Sequence, residues 1–138
     1  MIEFMRGSTF VGTLATSLYL TRAAAHPNVR SMFDFYHFWA GLSRESELDL
    51  IQPGEIHHVH IQDVPPIRRE MLDAVTREIP GDGVAPIERT LKALARTGYS
   101  GPVSVELFAP RFQNGDPFEV AVEIKTKTEP LLKAAGVA

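Results

Sequence analysis

The chain has 138 residues, of which 44% are hydrophobic and 22% charged, and these proportions are typical of one folded domain with its own core. A net charge of −3 argues against nucleic-acid binding, because phosphate recognition usually requires a basic surface. The absence of cysteine excludes disulfides, thiolate catalysis and cysteine-ligated zinc. The sequence has no apolar run as long as a membrane span and does not begin like a signal peptide, so we expect a cytoplasmic protein without membrane contact.

Hydrophobic periodicity alternates between strand and helix values along the chain. In the first half it predicts a strand at 1–5, a helix over 10–25, a strand over 28–35 and a helix over 43–51 that begins with the capping pattern Ser-Arg-Glu-Ser. In the second half it predicts a strand over 55–62, a helical turn near 68–75, a glycine-proline turn over 79–86, a helix over 87–97, a strand over 102–108 and a helix over 116–135. Strands that alternate with helices indicate parallel βα units, so the predicted fold class is α/β.

Each predicted strand carries one acidic or imidazole side chain on the face opposite its apolar residues. These four residues are Glu3, Asp34, His60 and Glu106. If the strands curl as in a barrel, the four side chains converge inside its C-terminal mouth. Three carboxylates and an imidazole suit Mn²⁺ or Mg²⁺, with Co²⁺ or Zn²⁺ also compatible. Without a cation, the clustered carboxylates would repel one another.

Each of these residues also has an ordinary structural interpretation when it is taken alone. Glu3 is then a solvated charge, Asp34 a loop cap and His60 a core histidine. Two further histidines precede His60 in the run HHVHIQD, and we expect His57 to face the helix layer and His58 a lower layer of the barrel, both in structural roles. The aromatic residues that surround Asp34 and follow it either pack in the core or shape a sugar pocket by stacking.

The ordered combination of DFYH, VHIQD, the PGDG turn and GYSGPVSVELF resembles the C-terminal half of the xylose isomerase-like TIM barrels. The resemblance implies one half-barrel domain over residues 1–138 that corresponds to strands 5–8 of the (β/α)₈ fold and is truncated relative to it. It implies that Glu3, Asp34, His60 and Glu106 are the metal ligands. It also implies that His37 and Arg77 contact the substrate, although Arg77 has an ordinary surface position as its alternative.

The family resemblance implies a divalent-metal-dependent isomerase or epimerase acting on a sugar or keto-polyol. In such a reaction Glu3 and Glu106 flank the carbon next to the carbonyl and move its proton through an enediolate. A dehydratase acting on a keto-inositol or a dehydroshikimate-type substrate stays open, because it uses the same enolate and expels a β-hydroxyl. The residues Thr76-Arg77-Glu78 stand where endonuclease IV has an Asp-x-His pair, which disfavours DNA repair.

A complete (β/α)₈ barrel takes about 250 residues, whereas this chain supplies four βα units. We therefore expect two open sheet edges, on the strands of Glu3 and Glu106, and an uncovered inner face. These features predict a homo-oligomer, most simply a two-fold dimer. Turnover is expected to be weak or absent unless a partner supplies the missing substrate contacts, so a non-catalytic half-barrel or interaction module is a further alternative.

Overall fold

The computed structural model describes residues 1–137, and in this part of the chain four strands form one parallel sheet in sequential order. The strands are β1 (Ile2–Glu3), β2 (Ser31–Asp34), β3 (Ile56–Ile61) and β4 (Val103–Val105). The α-helices are α1 (Leu14–Ala24), α2 (Phe35–Ala40), α3 (Ile87–Arg96), α4 (Pro110–Gln113) and α5 (Pro117–Ala135). Short 3₁₀ helices cover Glu45–Leu50, Arg69–Met71 and Ala74–Thr76. The predicted α/β class and the parallel strand order are confirmed, and they match part of a TIM barrel.

The strand predicted over 28–35 ends at Asp34 because helix α2 begins there. The Asp34 carboxylate accepts the backbone N–H of His37 and so caps the first turn of α2. The sequence analysis did not predict α2, since its four aromatic residues favour a strand by propensity. This early turn fixes Asp34 at the carboxyl end of β2.

The segment predicted as a helix over 43–51 is a 3₁₀ helix rather than an α-helix. Ser43 does not cap it, because the Ser43 hydroxyl accepts the backbone N–H of Leu14 at the start of α1. Glu47 provides the actual cap by accepting the N–H of Arg44, and its second oxygen accepts the N–H of Ala15. The capping residues thus tie this segment to α1.

Helices cover one face of the sheet and form the hydrophobic core with it. The side chains of Phe4, Phe33 and Val59 are completely buried on this face. The ring of Phe33 lies 5.8 Å from that of Phe4 and 5.1 Å from that of Phe38, measured between centroids. Burial of such a side chain contributes about 1.5–3 kcal/mol. The apolar residues of the strands therefore face the helices, and the polar residues lie on the opposite face.

Strand β3 contains a bulge that sets the register of its histidines against strand β2. Ser31 of β2 pairs with Ile56, but the next β2 residue pairs with His58, so β3 has one extra residue at this point. His57 lies at the bulge and is exposed. The alternation then continues with Val59 on the helix side and His60 on the inner side.

Asp63 anchors the glycine-proline turn that follows β3. Its side chain is 2% exposed. The carboxylate accepts the backbone N–H groups of Val64, Gly81, Gly83 and Ala85 at 2.8–3.0 Å. Two backbone hydrogen bonds also join Asp63 to Glu78, next to Arg77. Asp63 therefore has a structural role and sets the position from which Arg77 reaches the sheet.

Helix α5 has the boundaries that the sequence predicts. The Asp116 carboxylate accepts the N–H groups of Phe118 and Glu119, and Pro117 occupies the first helical position. The helix ends at Gly136, whose φ of +72° is a left-handed conformation that favours glycine. Among residues 1–137, no helix combines the length and the apolar character needed to cross a membrane.

Candidate metal centre

Three carboxylates surround the imidazole of His60 on the inner face of the sheet. His60 Nδ1 lies 3.6 Å from Asp34 Oδ2, 3.6 Å from Glu106 Oε2 and 3.9 Å from Glu3 Oε1. The register of the sheet places Asp34 directly opposite His60, while Glu106 follows the last residue of β4. The structure thus brings together all four residues that the sequence analysis selected as ligands.

The donor atoms form two overlapping groups of three. Those of Asp34, His60 and Glu106 all lie within 4.8 Å of one another, and the same is true of Glu3, Asp34 and His37. Asp34 belongs to both groups and is completely buried. His37, which was predicted to contact substrate, therefore lies at the edge of the carboxylate cluster.

The four residues fit a divalent cation chemically. His60 Nδ1 is buried and has no hydrogen-bond partner among residues 1–137, an arrangement that normally costs free energy. A cation placed among the surrounding oxygens would give this nitrogen a partner and would offset the repulsion between the carboxylates. Oxygen donors with one imidazole suit Mn²⁺, Mg²⁺ or Zn²⁺.

Two hydrogen bonds hold the Asp34 carboxylate in place. Its Oδ1 accepts the backbone N–H of His37 at 2.6 Å, and its Oδ2 accepts from Nε2 of Gln62 at 2.7 Å. The sequence analysis assigned no role to Gln62, although strand alternation places it on the same face as His60. Asp34 is therefore held in one orientation before anything binds.

The cluster shifts the acidity of its members in different directions. Burial alone would raise the pKa of Asp34, but contact with His60 and the charge of Arg77 hold that pKa below its usual value. The Asp34 carboxylate raises the pKa of His60, against the effect of burial, and Glu106 and Glu3 add to the rise. Burial, followed by the charge of Asp34, raises the pKa of Glu3. The ionised form of Asp34 is consequently favoured, and Glu3 holds a proton more readily than an exposed glutamate does.

Arg77 lies inside the cluster, so the alternative of an ordinary surface arginine is wrong. Its side chain is 3% exposed and forms an ion pair with Glu106. The guanidinium lies 4.5 Å from the ring centroid of Tyr36 and 4.9 Å from that of Phe108. Its Nη2 is 3.4 Å from Nε2 of His37, so the two predicted substrate contacts are neighbours.

The remaining residues of the HHVHIQD run do not join the cluster. His58 lies two residues before His60 on the same strand face, with its Nε2 3.1 Å from the Ser104 hydroxyl, in agreement with a lower layer. Burial lowers the pKa of His58, which favours a neutral ring. His57 is exposed, and Asp63 holds the following turn. One histidine of the three is therefore placed to bind a metal.

The aromatic residues around Asp34 divide between the two faces of the sheet. Phe33, Phe35 and Phe38 belong to the hydrophobic core, whereas Tyr36 faces Arg77. Trp39 packs under the guanidinium of Arg69, whose central carbon is 3.9 Å from a ring centroid of Trp39. Of the aromatic residues considered for a sugar pocket, Tyr36 is thus the one beside the candidate centre.

A separate cleft of about 650 Å³ lies away from the carboxylate cluster, between the turn held by Asp63 and helices α3 and α5. Two of its basic side chains, Arg89 and Lys92, pair with Glu45 and Glu88. Nothing on its wall combines carboxylates with an imidazole. We therefore place the candidate site on the open inner face of the sheet, where the chemically active groups meet.

A parallel βα sheet with a carboxylate-imidazole cluster at the carboxyl ends of its strands defines a class of TIM-barrel domains. The chain belongs to one family within this class, the xylose isomerase-like TIM barrels, whose model matches residues 1–128.

Individual relatives narrow the comparison further. The chain is 30% identical over 118 residues to a protein named inosose isomerase from Halalkalibacterium halodurans, covering 86% of this chain and 40% of that protein. An inosose isomerase from Bacillus velezensis is also 30% identical, over 86% of this chain and 42% of its own length. The chain thus spans less than half the length of these curated relatives.

Solved structures share the fold over a similar extent. The crystal structure of an IolI protein with a bound zinc atom superposes with a TM-score of 0.87 at 27% identity, over 94% of this chain and 47% of that one. A D-psicose 3-epimerase from Clostridium cellulolyticum H10 gives a TM-score of 0.72 at 19% identity, over 97% and 48% of the two chains. The second likeness establishes the fold alone.

Proposed function

We propose that this chain provides the metal centre and the proton-transfer carboxylates of a sugar or keto-polyol isomerase or epimerase. The observation that carries the proposal is the convergence of three carboxylates on His60 Nδ1, which lies within 3.9 Å of each. We assign the chain to the second half of the barrel, strands 5–8, as one domain over residues 1–138. The name of the inosose isomerase relatives favours a keto-inositol among the candidate substrates.

In this proposal a divalent cation is held by Glu3, Asp34, His60 and Glu106. Mn²⁺ or Mg²⁺ suits the oxygen-rich donors, and Zn²⁺ is compatible because a zinc atom is present in the similar IolI structure. When bound, the cation would polarise the substrate carbonyl and stabilise negative charge on its oxygen. Asp34 is a ligand rather than a base, since its hydrogen bonds and lowered pKa keep it ionised in one orientation.

Glu106 and Glu3 are the groups that move the proton. Glu106 takes the proton from the carbon next to the carbonyl, and the C–H electron pair moves toward the carbonyl oxygen to give an enediolate. Glu3, whose raised pKa suits a proton carrier, returns a proton to that carbon from the opposite face, or to the former carbonyl carbon while the hydroxyl proton of the first carbon passes to the former carbonyl oxygen. The first outcome is epimerisation and the second is isomerisation.

His37 and Arg77 position the substrate in this scheme. Burial lowers the pKa of His37 and favours its neutral ring, while its Nδ1 accepts the backbone N–H of Arg6 at 3.3 Å. That bond leaves Nε2 to carry the ring proton, which can be donated to a substrate hydroxyl. Arg77 lies beside it and offers further N–H donors to oxygen.

Deuterium exchange tests this function directly. The chain, loaded with Mn²⁺, is incubated in D₂O with keto-inositols and ketohexoses, and label at the carbon next to the carbonyl is followed by mass spectrometry. We expect Glu106→Gln to slow incorporation by about 10²–10⁴-fold, the usual contribution of a general base. Glu88→Gln, a change at an exposed glutamate paired with Lys92, is the matched control and should exchange at the wild-type rate.

The same experiment separates the proposed function from its alternatives. Loss of water from the substrate in place of label retention would identify a dehydratase. Metal binding without any exchange would favour a non-catalytic half-barrel.

A further inference from the structure

The guanidinium of Arg77 contacts the same carboxylate oxygens that surround His60. Arg77 Nη1 pairs with Oε2 of Glu106 and lies 3.6 Å from Oδ2 of Asp34. These two oxygens are also the ones that lie 3.6 Å from His60 Nδ1. A cation bound by Asp34, His60 and Glu106 would therefore need oxygens that Arg77 already engages.

Two positive charges cannot share these oxygens without cost. A guanidinium and a divalent cation a few ångströms apart repel each other, and the repulsion is poorly screened because Arg77 is 3% exposed and Asp34 is completely buried. Each positive charge alone would offset part of the repulsion among the three carboxylates. Arg77 and the metal are thus alternative partners for Glu106.

The pairing with Glu106 leaves Arg77 incompletely bonded. Its Nε is buried and has no hydrogen-bond partner within residues 1–137. The rings of Tyr36 and Phe108 flank the guanidinium and stabilise a cation without fixing its hydrogen bonds. These ring contacts do not depend on which oxygen the guanidinium pairs with, so loss of the pairing with Glu106 would not by itself remove them.

We propose that Arg77 is a built-in substitute for the metal, which pairs with Glu106 when the cation is absent and is displaced from it when the cation binds. The released guanidinium, still held by Tyr36 and Phe108, then has its N–H groups available for substrate oxygens. Binding of the metal thus frees Arg77 to contact the substrate at the same time as it completes the metal centre. The inference rests on the proposed function, because it requires a divalent cation at this cluster.

Calorimetric titration with Mn²⁺ tests the competition on the whole chain. Removal of the positive charge in Arg77→Met should lower the Mn²⁺ dissociation constant at least tenfold, because the competing partner and its repulsion are both lost. Arg77→Lys keeps the charge and should stay closer to the wild type. Arg89→Met, at a 71% exposed arginine paired with Glu45, is the matched control and should leave the affinity unchanged.

Thermal unfolding gives a second readout. Without metal, Arg77→Met should melt below the wild type, since three carboxylates then lack their cationic partner, and Mn²⁺ should raise its melting temperature by more than it raises that of the wild type. If Arg77→Met is unfolded without metal, refolding on addition of Mn²⁺ supports the substitution role. Failure to refold at saturating Mn²⁺ contradicts it.

The outcomes distinguish this inference from the proposed function. Equal or weaker Mn²⁺ binding by Arg77→Met, with clear binding by the wild type, overturns the competition and leaves the metal centre intact. No binding by any variant overturns the metal centre itself.

Discussion

At the scale of single residues, His60 connects the sequence pattern to the proposed chemistry. Its ring nitrogen lies within 3.9 Å of carboxylates from Glu3, Asp34 and Glu106, which come from three other parts of the chain. Without a hydrogen-bond partner in the described residues, this buried nitrogen is available as a ligand. His58 on the same strand face already contacts Ser104.

Replacement of His60 by alanine should weaken Mn²⁺ binding at least about tenfold, because the cluster loses its nitrogen donor. The metal-dependent rise in melting temperature should fall accordingly. His57→Ala is the control, since His57 is exposed on the same strand and lies outside the cluster. Unchanged stoichiometry and affinity in His60→Ala, measured by calorimetry, would remove His60 from the ligand set.

Tyr99 provides a residue-scale prediction that is independent of the metal centre. Its hydroxyl donates to the carbonyl oxygen of Pro102 at 2.6 Å, and burial raises the pKa of Tyr99 to about 12. The phenol of an unfolded chain titrates near pH 10. Since the folded pKa is the higher one, this group contributes stability below pH 10 that is lost as the pH rises toward 12.

The free energy of unfolding of the wild type should therefore exceed that of Tyr99→Phe by less at pH 11.5 than at pH 9, as measured by urea denaturation. Tyr19→Phe, at a tyrosine that is 69% exposed, is the matched control. A pH-independent difference between wild type and Tyr99→Phe would contradict the assignment.

At the scale of elements, the turn after β3 is built around one buried carboxylate. Asp63 accepts the N–H of Gly83, and a Cβ at Gly83 would lie 2.1 Å from the carbonyl oxygen of Val64 and 2.5 Å from Oδ1 of Asp63. The close approach, rather than conformational freedom, requires glycine here. Arg77 directly precedes this turn in the chain, so the geometry of the turn also affects the candidate site.

Gly83→Ala should lower the free energy of unfolding by about 1–3 kcal/mol or more, as overpacking against fixed backbone does. Gly7→Ala is the control, because a Cβ at Gly7 would meet no atom within 4 Å. Denaturant titration of the two variants measures the difference. Equal stability of the two would show that the turn can move away from Asp63.

The element scale also shows what local patterns can predict. Helix α5 was predicted correctly because its start signal, Asp116 followed by Pro117, is adjacent in sequence to the turn that it begins. Helix α2 was missed because aromatic residues favour strands, and its start depends on the Asp34 side chain turning back to His37. Hydrophobic periodicity does not predict a helix boundary that depends on one side-chain hydrogen bond.

At the scale of the whole molecule, the sheet has two open edges and one open face. Strand β1 forms one edge and β4 the other, and Val103 on β4 is 39% exposed. Helix α5 also presents Phe118 and Val122, which are 81% and 64% exposed. Unpaired strand edges and exposed apolar side chains favour association.

We therefore expect a homodimer in which β4 of each copy pairs with β1 of the other, so that a two-fold axis relates the copies and the sheet closes. Analytical ultracentrifugation should show this dimer at micromolar concentration. Val103→Lys should weaken it about tenfold or more, because the charge would be buried at the edge. Tyr19→Lys, on an exposed position of α1, is the control, and a wild-type chain that remains monomeric with a cooperative unfolding transition contradicts the model.

The sequence by itself determined which side chains share the inner face. Strand alternation is a local property with a period of two residues, so the placement of Glu3, Asp34, His60 and Glu106 follows from the apolar residues beside them. The order of strands and helices likewise indicated the parallel α/β fold. These features required no knowledge of how distant segments pack.

Only the tertiary structure determined which residues of the inner face lie opposite one another and which distant residue joins them. The bulge in β3 sets the register that puts His60 opposite Asp34, and register depends on the partner strand. The contact between Arg77 and Glu106 joins residues 29 positions apart, through a turn that Asp63 holds. A periodic pattern carries no information about such distances, because they are fixed by long-range packing and by buried hydrogen bonds that form only when the chain is folded.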